Sequence, residues 1–291
     1  MIRALLTAFA LFATASAAHA QCPAAGYDRA ALEALKQNEW TIPNDRARNA
    51  FARALVPCLD STDPTVRDGI AFEALSHLMR AQQLSDPTLT EIAQSLRQRL
   101  GAPDPEGVGR PFAILVLSET IRADRIAPYM TAELRQQILN DGIVFLTELR
   151  DYRGFDEHDG WRHGVAHSAD LMLQLSVNSA FNKDDLSRIR DAVSSQVAPA
   201  DHFYIYGESE RLAAPIIFMA RRGLFSEAEW TQYFARFPAG GENVYASQAG
   251  LAWRHDTMAF LSAIYLNARI SETTDDDVLI PGVTAALVAM P

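Results

Sequence analysis

A chain of 291 residues that is 48% hydrophobic and 21% charged has the composition of an ordinary folded protein with a sizeable core. Thirty-six acidic residues against 26 lysines and arginines give a net charge of −10. That balance, with no Lys/Arg block of the kind that tracks phosphates, disfavours nucleic acid and anionic lipid as partners.

Residues 1–20 read as a cleaved export signal: Arg3, an apolar run from Ala4 to Ala18, then small residues at Ala18 and Ala20 flanking His19. The run is shorter than the ~20 residues that span a bilayer, which disfavours an uncleaved anchor. Gln21 is bulky where a lipoprotein signal prefers a small residue, which disfavours a lipid on Cys22. The expected mature protein, residues 21–291, is periplasmic or secreted, without membrane insertion. Its only cysteines, Cys22 and Cys58, show no C-x-x-C spacing, so a structural disulfide is expected. It would close a 36-residue loop and add ~3–4 kcal/mol on the chain-entropy model.

Helix signals then recur every 20–25 residues, and strand signals are almost absent. Asp28 and Asn44 cap predicted helices over 29–38 and 45–57. Asp63-Pro64 and Asp86-Pro87 start two more over 64–81 and 87–100. Three glycines and three prolines between Gly101 and Pro111 mark a loop and the best internal boundary of an otherwise single domain. Further helices are predicted over 112–125, 131–150, 160–177, 183–197, 208–222, 226–236 and 244–269, with Thr131 and Ser226 as caps and Glu229 completing a capping box. The apolar tail, 278–291, should dock on the last helices. Paired helices of this kind predict an all-α fold, an α-α superhelix of HEAT-like helix pairs, with a closed α/α toroid as the alternative. The tripeptide Trp161-Arg162-His163 returns as Trp253-Arg254-His255, 92 residues on, a weak sign of internal repetition.

One stretch carries chemistry. On a helix over 160–177, His163, His167, Asp170 and Gln174 fall within roughly a 60° arc. Histidines at i and i+4 can bind one metal ion, and an acid one turn later can be a third ligand or orient an imidazole. A solvated stripe is the ordinary account of such a pattern, but solvent faces carry Lys, Arg and Glu, and none occurs from His163 to Leu175. A lined cleft or a buried polar network fits better. Asp159 is read as a helix cap, and Arg150, Asp151 and Arg153 as an ion-paired loop. A second polar segment, Asp201 to Arg211, offers Glu208 and Glu210 as acid/base groups and Arg211 as a carboxylate clamp; Trp161 and Gln174 are further binding residues, and His255 a further metal ligand. No nucleophile elbow, Walker loop or dinucleotide fingerprint is present.

Arg150-Asp151, Arg153-Gly154-Phe155, Gly160-Trp161, His163, Ala166-His167 and Ala169-Asp170-Leu171, followed by Gly207-Glu208, Glu210-Arg211-Leu212-Ala213, resemble the bacterial family known as domain of unknown function 2785. The segment Asp63–Arg80 is similar to that family's early helices. The resemblance implies an all-α fold and the same polar cluster, and no activity; the export signal is a departure from it. Three functional expectations follow. One is an exported helical protein that hydrolyses a bond with a divalent metal, zinc by preference, held by the histidines. Another is a non-catalytic scaffold that grips a peptide or envelope protein, with the histidines as internal hydrogen-bond partners. A toroid enzyme acting on saccharides through two facing carboxylates is a third.

Overall fold

The structure, a computed structural model, describes Cys22 and residues 26–239 and 244–291; the expected export signal lies outside the described residues. It is predominantly helical. Asp28 and Asn44 accept hydrogen bonds from the N–H groups of Ala31 and Ala47 and so start α1 (Arg29–Gln37) and α2 (Asp45–Leu55). A 3₁₀ stretch, Val56–Asp60, carries Cys58, which is disulfide-bonded to Cys22 across 5.5 Å between Cα atoms. The rod that follows is α3 (Pro64–Val66), a π-helical stretch (Arg67–Phe72) and α4 (Glu73–Arg80), so the helix predicted over 64–81 contains one widened turn.

α5 (Asp86–Leu100) starts at Ser85 and not at Asp86, and Ser85 spends its own N–H and hydroxyl on Asn49 Oδ1. α6 (Gly109–Ile126) begins inside the Gly/Pro loop, earlier than predicted, because the Asp104 carboxylate accepts from the N–H groups of Gly107, Val108 and Arg110 and satisfies the helix start. α7 (Ala132–Glu148) follows, capped by Thr131.

The largest departure is at 155–163. The helix predicted from residue 160 begins at Gly164 as α8 (Gly164–Val177), and a small antiparallel hairpin precedes it: β1 (Phe155–Asp156) and β2 (Gly160–Trp161), pairing Phe155 with Trp161. Asp156 turns the chain by accepting from the N–H groups of His158 and Asp159, and Gly160 takes φ +70°. Asp159 therefore caps nothing; it binds Arg162 and His158 instead.

The chain continues through α9 (Lys183–Ser194), α10 (Glu208–Ala220), α11 (Glu227–Phe234), α12 (Gln248–Ile270) and α13 (Ile280–Ala289). The Ser226/Glu229 capping box is present as predicted, and Asn182 with Asp185 forms a second. α6 packs on α8, α8 on α10 and α10 on α12 in one row; α5 packs on α7 and α7 on α9 in another; α13 docks on α11 and α12. One hydrophobic cluster runs through both rows from Leu32 to Ala286. Helix α8 lies between α6 and α10 and buries Val165 through Ala169, then Leu171, Met172 and Leu175, so its few polar side chains sit where water is scarce.

Candidate functional site

The site begins with a residue in an unusual conformation. His163 precedes α8 at φ +51°, ψ +39°, the left-handed region that a histidine enters only when its surroundings hold it there. Those surroundings are the hairpin. Trp161 stacks on the His163 ring with centroids 4.7 Å apart, and Tyr206 meets Trp161 edge-on at 5.9 Å. The hairpin is in turn fastened from the widened turn of the early rod. Arg67, fully buried, donates to the carbonyls of Ser61, Asp159 and Trp161 and pairs with Asp68. Gly160 is needed for a second reason here, since a Cβ on it would approach Pro64 Cβ to 2.8 Å.

His163, His167, Asp170, Gln174, Trp161 and Arg211 line one cleft of about 530 Å³, together with Phe72, Arg80, Leu115, Ser118, Glu119, Leu173 and Tyr206. His167 Nδ1 lies 3.1 Å from the Pro111 carbonyl, which can only accept, so Nδ1 carries the proton and Nε2 keeps a lone pair. Burial, reinforced by the His163 and Arg211 charges, pushes its pKa down to about 3, and the ring is neutral at physiological pH. His163 Nε2 sits 3.4 Å from Glu208 Oε1, and among the described residues no well-aligned hydrogen bond reaches this buried nitrogen. Glu208, almost fully buried, opens α10 and accepts from the Tyr206 N–H. Burial alone would raise its pKa. His163 and the backbone N–H groups of residues 206 and 208 outweigh that and hold the carboxyl below its ordinary range.

Two carboxylates in the cleft are each closed by an arginine. Arg211 reaches Asp170 through Nε, at 2.8 Å, and through Nη2. Arg80 reaches Glu119 in the same side-on manner, with Nε at 3.0 Å. Burial, only partly offset by Arg211, pushes the Asp170 carboxyl above its usual value.

Three predicted site residues do not line the cleft: Glu208 is buried against His163 at its edge, and two lie elsewhere. Glu210 is exposed on α10, and neither it nor His255 lines the cleft. His255, on α12, bonds through Nδ1 to Asp256 at 2.9 Å and packs on Phe203. The second Trp-Arg-His tripeptide does not reproduce the first, since Arg254 donates to the Pro291 carbonyl. Among the described residues, Asp156, His158 and Asp159 form a grouping whose donor atoms all lie within 4.8 Å of one another, on the exposed hairpin turn; neither His163, His167 and Asp170 nor His163, His167 and Glu208 form one that tight. Glu119, Arg80 and Tyr206 belong to the cleft and were not anticipated. The signal for Glu119 was in the chain: an acid inside the apolar run from Phe112 to Ile121 must either be paired or face a cavity.

A family model described as Protein of unknown function (DUF2785) matches residues 96–266. No curated protein and no solved structure matches the chain. The matched span contains Glu119, the hairpin, α8 and α10, and leaves out Arg67, Phe72 and Arg80.

Proposed function

Because the chain belongs to the DUF2785 family, known only as proteins of unknown function, no relative supplies an activity, and we propose from the cleft itself that the protein is a divalent-metal-dependent hydrolase. The observation that carries this reading is the His163–Glu208 pair. Ligand distances of ~2.0–2.2 Å in a tetrahedral zinc site put two ligand atoms ~3.4 Å apart. His163 Nε2 and Glu208 Oε1 have that separation, both are buried, and the nitrogen has no hydrogen-bond partner among the described residues. His167, neutral and with its Nε2 lone pair available, would complete a His₂Glu set after a side-chain rotation. Asp170, held by Arg211, then serves as a positioning group and not as a ligand.

His163, His167 and Glu208 would hold the ion, and the chemistry it would supply when bound is the activation of water near neutral pH. One water is consumed per bond cleaved: its hydroxyl joins the electrophilic centre and its other proton goes to the leaving group. Metal analysis of the purified protein tests the proposal. About one bound zinc per chain and a melting temperature lowered by chelator are expected. No bound ion, with a melting temperature indifferent to zinc and chelator, would remove the metal.

A non-catalytic binding scaffold is the second reading, favoured by the His167 bond to the Pro111 carbonyl and by both arginine–carboxylate pairs, which are what internal partners look like. It predicts that His163→Ala lowers stability and changes no ion content, whereas the metal reading predicts lost ion with the helical fold kept. Helices stacked in two rows in chain order support the repeat-scaffold architecture for either. The Cys22–Cys58 bond supports export to an oxidising compartment, and no described helix is long and apolar enough to cross a membrane.

A further inference from the structure

The geometry points to a neutral oligosaccharide as the ligand of this cleft, lying across Tyr206 into a second trough alongside. The inference rests on the cleft being the functional site, and it does not need the metal.

Charge balance argues first. The cleft holds two arginines, Arg80 and Arg211, and each is matched by a carboxylate. On the other side of Tyr206 lies a trough of about 650 Å³ whose charged lining is three arginines against three aspartates. Neither offers the surplus of positive charge that an organic anion would seek. Unspent hydrogen-bonding groups argue second. Among the described residues Gln174 Oε1 is buried without a partner and wants a donor, as does the Nε2 lone pair of His167. Each guanidinium grips its carboxylate through Nε and Nη2, so Nη1 remains a donor. A ligand that must donate and accept along the same wall is rich in hydroxyl groups; a carboxylate or phosphate can do only half of that.

The aromatic rib argues third. Tyr206 borders both hollows and is 39% exposed, with Trp161 at 36% and Phe155 at 44% beside it. The rib is built, since Gly154 leaves no room for a Cβ beneath the Tyr206 ring, and the Tyr206 hydroxyl donates to the Phe155 carbonyl at 3.2 Å. Apolar ring faces flanked by paired polar side chains suit a pyranose, whose C–H face stacks while its rim of hydroxyls bonds. An extended peptide would look for an open strand edge, and the hairpin strands here are two residues long.

Isothermal titration of the whole mature protein with cellotetraose, maltotetraose and chitotetraose, and with inorganic phosphate and acetate, tests the idea. At least one tetrasaccharide should bind saturably, its monosaccharide about tenfold or more weaker, and phosphate and acetate should neither bind nor compete. Tyr206→Ala should weaken that binding about tenfold or more with the circular dichroism unchanged; Tyr206→Phe, which keeps the ring, should restore most of it. Failure of all three sugars, binding untouched by Tyr206→Ala, or competition by phosphate or acetate would overturn the inference. Chelator-treated protein separates it from the metal proposal. Sugar binding that survives chelation with no zinc present sinks only the metal, and zinc binding without sugar binding sinks only this.

Discussion

Replacing Glu208 by Gln keeps the shape of the side chain and removes its charge at the point where fold and site meet. The carboxylate is 2% exposed, accepts from the Tyr206 N–H at 2.9 Å and stands at the first position of α10. A negative charge at a helix start contributes ~0.3–1 kcal/mol. Exchanging a charged acceptor for a neutral one reduces a hydrogen bond from ~1.5–3 to ~1 kcal/mol. The amide is cheaper to bury, which offsets part of this, and the net loss should be ~1–2 kcal/mol at pH 7. The sign with pH follows from the lowered carboxyl pKa. Stability from the charge is complete above the unfolded value, near 4.5, and disappears as pH falls through the lower folded value. Urea unfolding of both proteins at neutral pH and in strong acid is the assay. The gap between them should be full at pH 7 and close in acid. A variant as stable as the parent at pH 7, or a gap that persists unchanged in acid, would refute the argument, and zinc content measured on the same samples should fall with the charge.

Arg67→Met should cost ~3–5 kcal/mol, toward the lower end because Asp68 is part-exposed and, through burial, already raised in pKa; adding Asp68→Asn should recover part of that loss in a double-mutant cycle read by urea unfolding. Gly154→Ala drives a methyl into the Tyr206 ring and should cost ~1–3 kcal/mol, with Tyr206 displaced in a crystal structure; unchanged stability would mean that the rib is loose. Cys58→Ser should lower stability by ~3–4 kcal/mol under oxidising conditions and by nothing once the parent is reduced, because the loop closed between Cys22 and Cys58 is what the bond constrains.

Features fixed within a few residues were legible in the chain. The caps at Asp28, Asn44 and Thr131 and the Ser226/Glu229 box are local chemistry, and each is found where the residue types place it. The polar face of α8 was legible too, although for a partly different reason. His163 does not share a regular helix with His167; it stands at the helix start in a left-handed conformation, and the hairpin and Trp161 hold its ring in the cleft. That hairpin was misread because its strands are two residues long, too short for alternation to register. Nothing local joins Arg80 to Glu119, 39 residues on, or Asp170 to Arg211, 41 residues on. Such pairs are made by the stacking of helices, and a periodicity argument that treats each helix alone cannot find them. The same holds for His255, whose tripeptide copies a motif but not the helix neighbours that gave the motif its place.

The widened turn at Arg67–Phe72 makes chain length itself a constraint on the cleft. Deleting one residue there would restore ordinary winding and swing the Arg67 guanidinium by about 100°, away from the two hairpin carbonyls that it holds. Insertions in the Gly/Pro loop ahead of Asp104 should be tolerated, since doubling a surface loop adds only ~0.6 kcal/mol of closure entropy and the Asp104 bonds that start α6 are left in place. Relatives with a deletion in the early rod should therefore carry a compensating change between residues 155 and 161, two segments that would covary across 94 positions of sequence, one of them lying outside the residues that the family model matches.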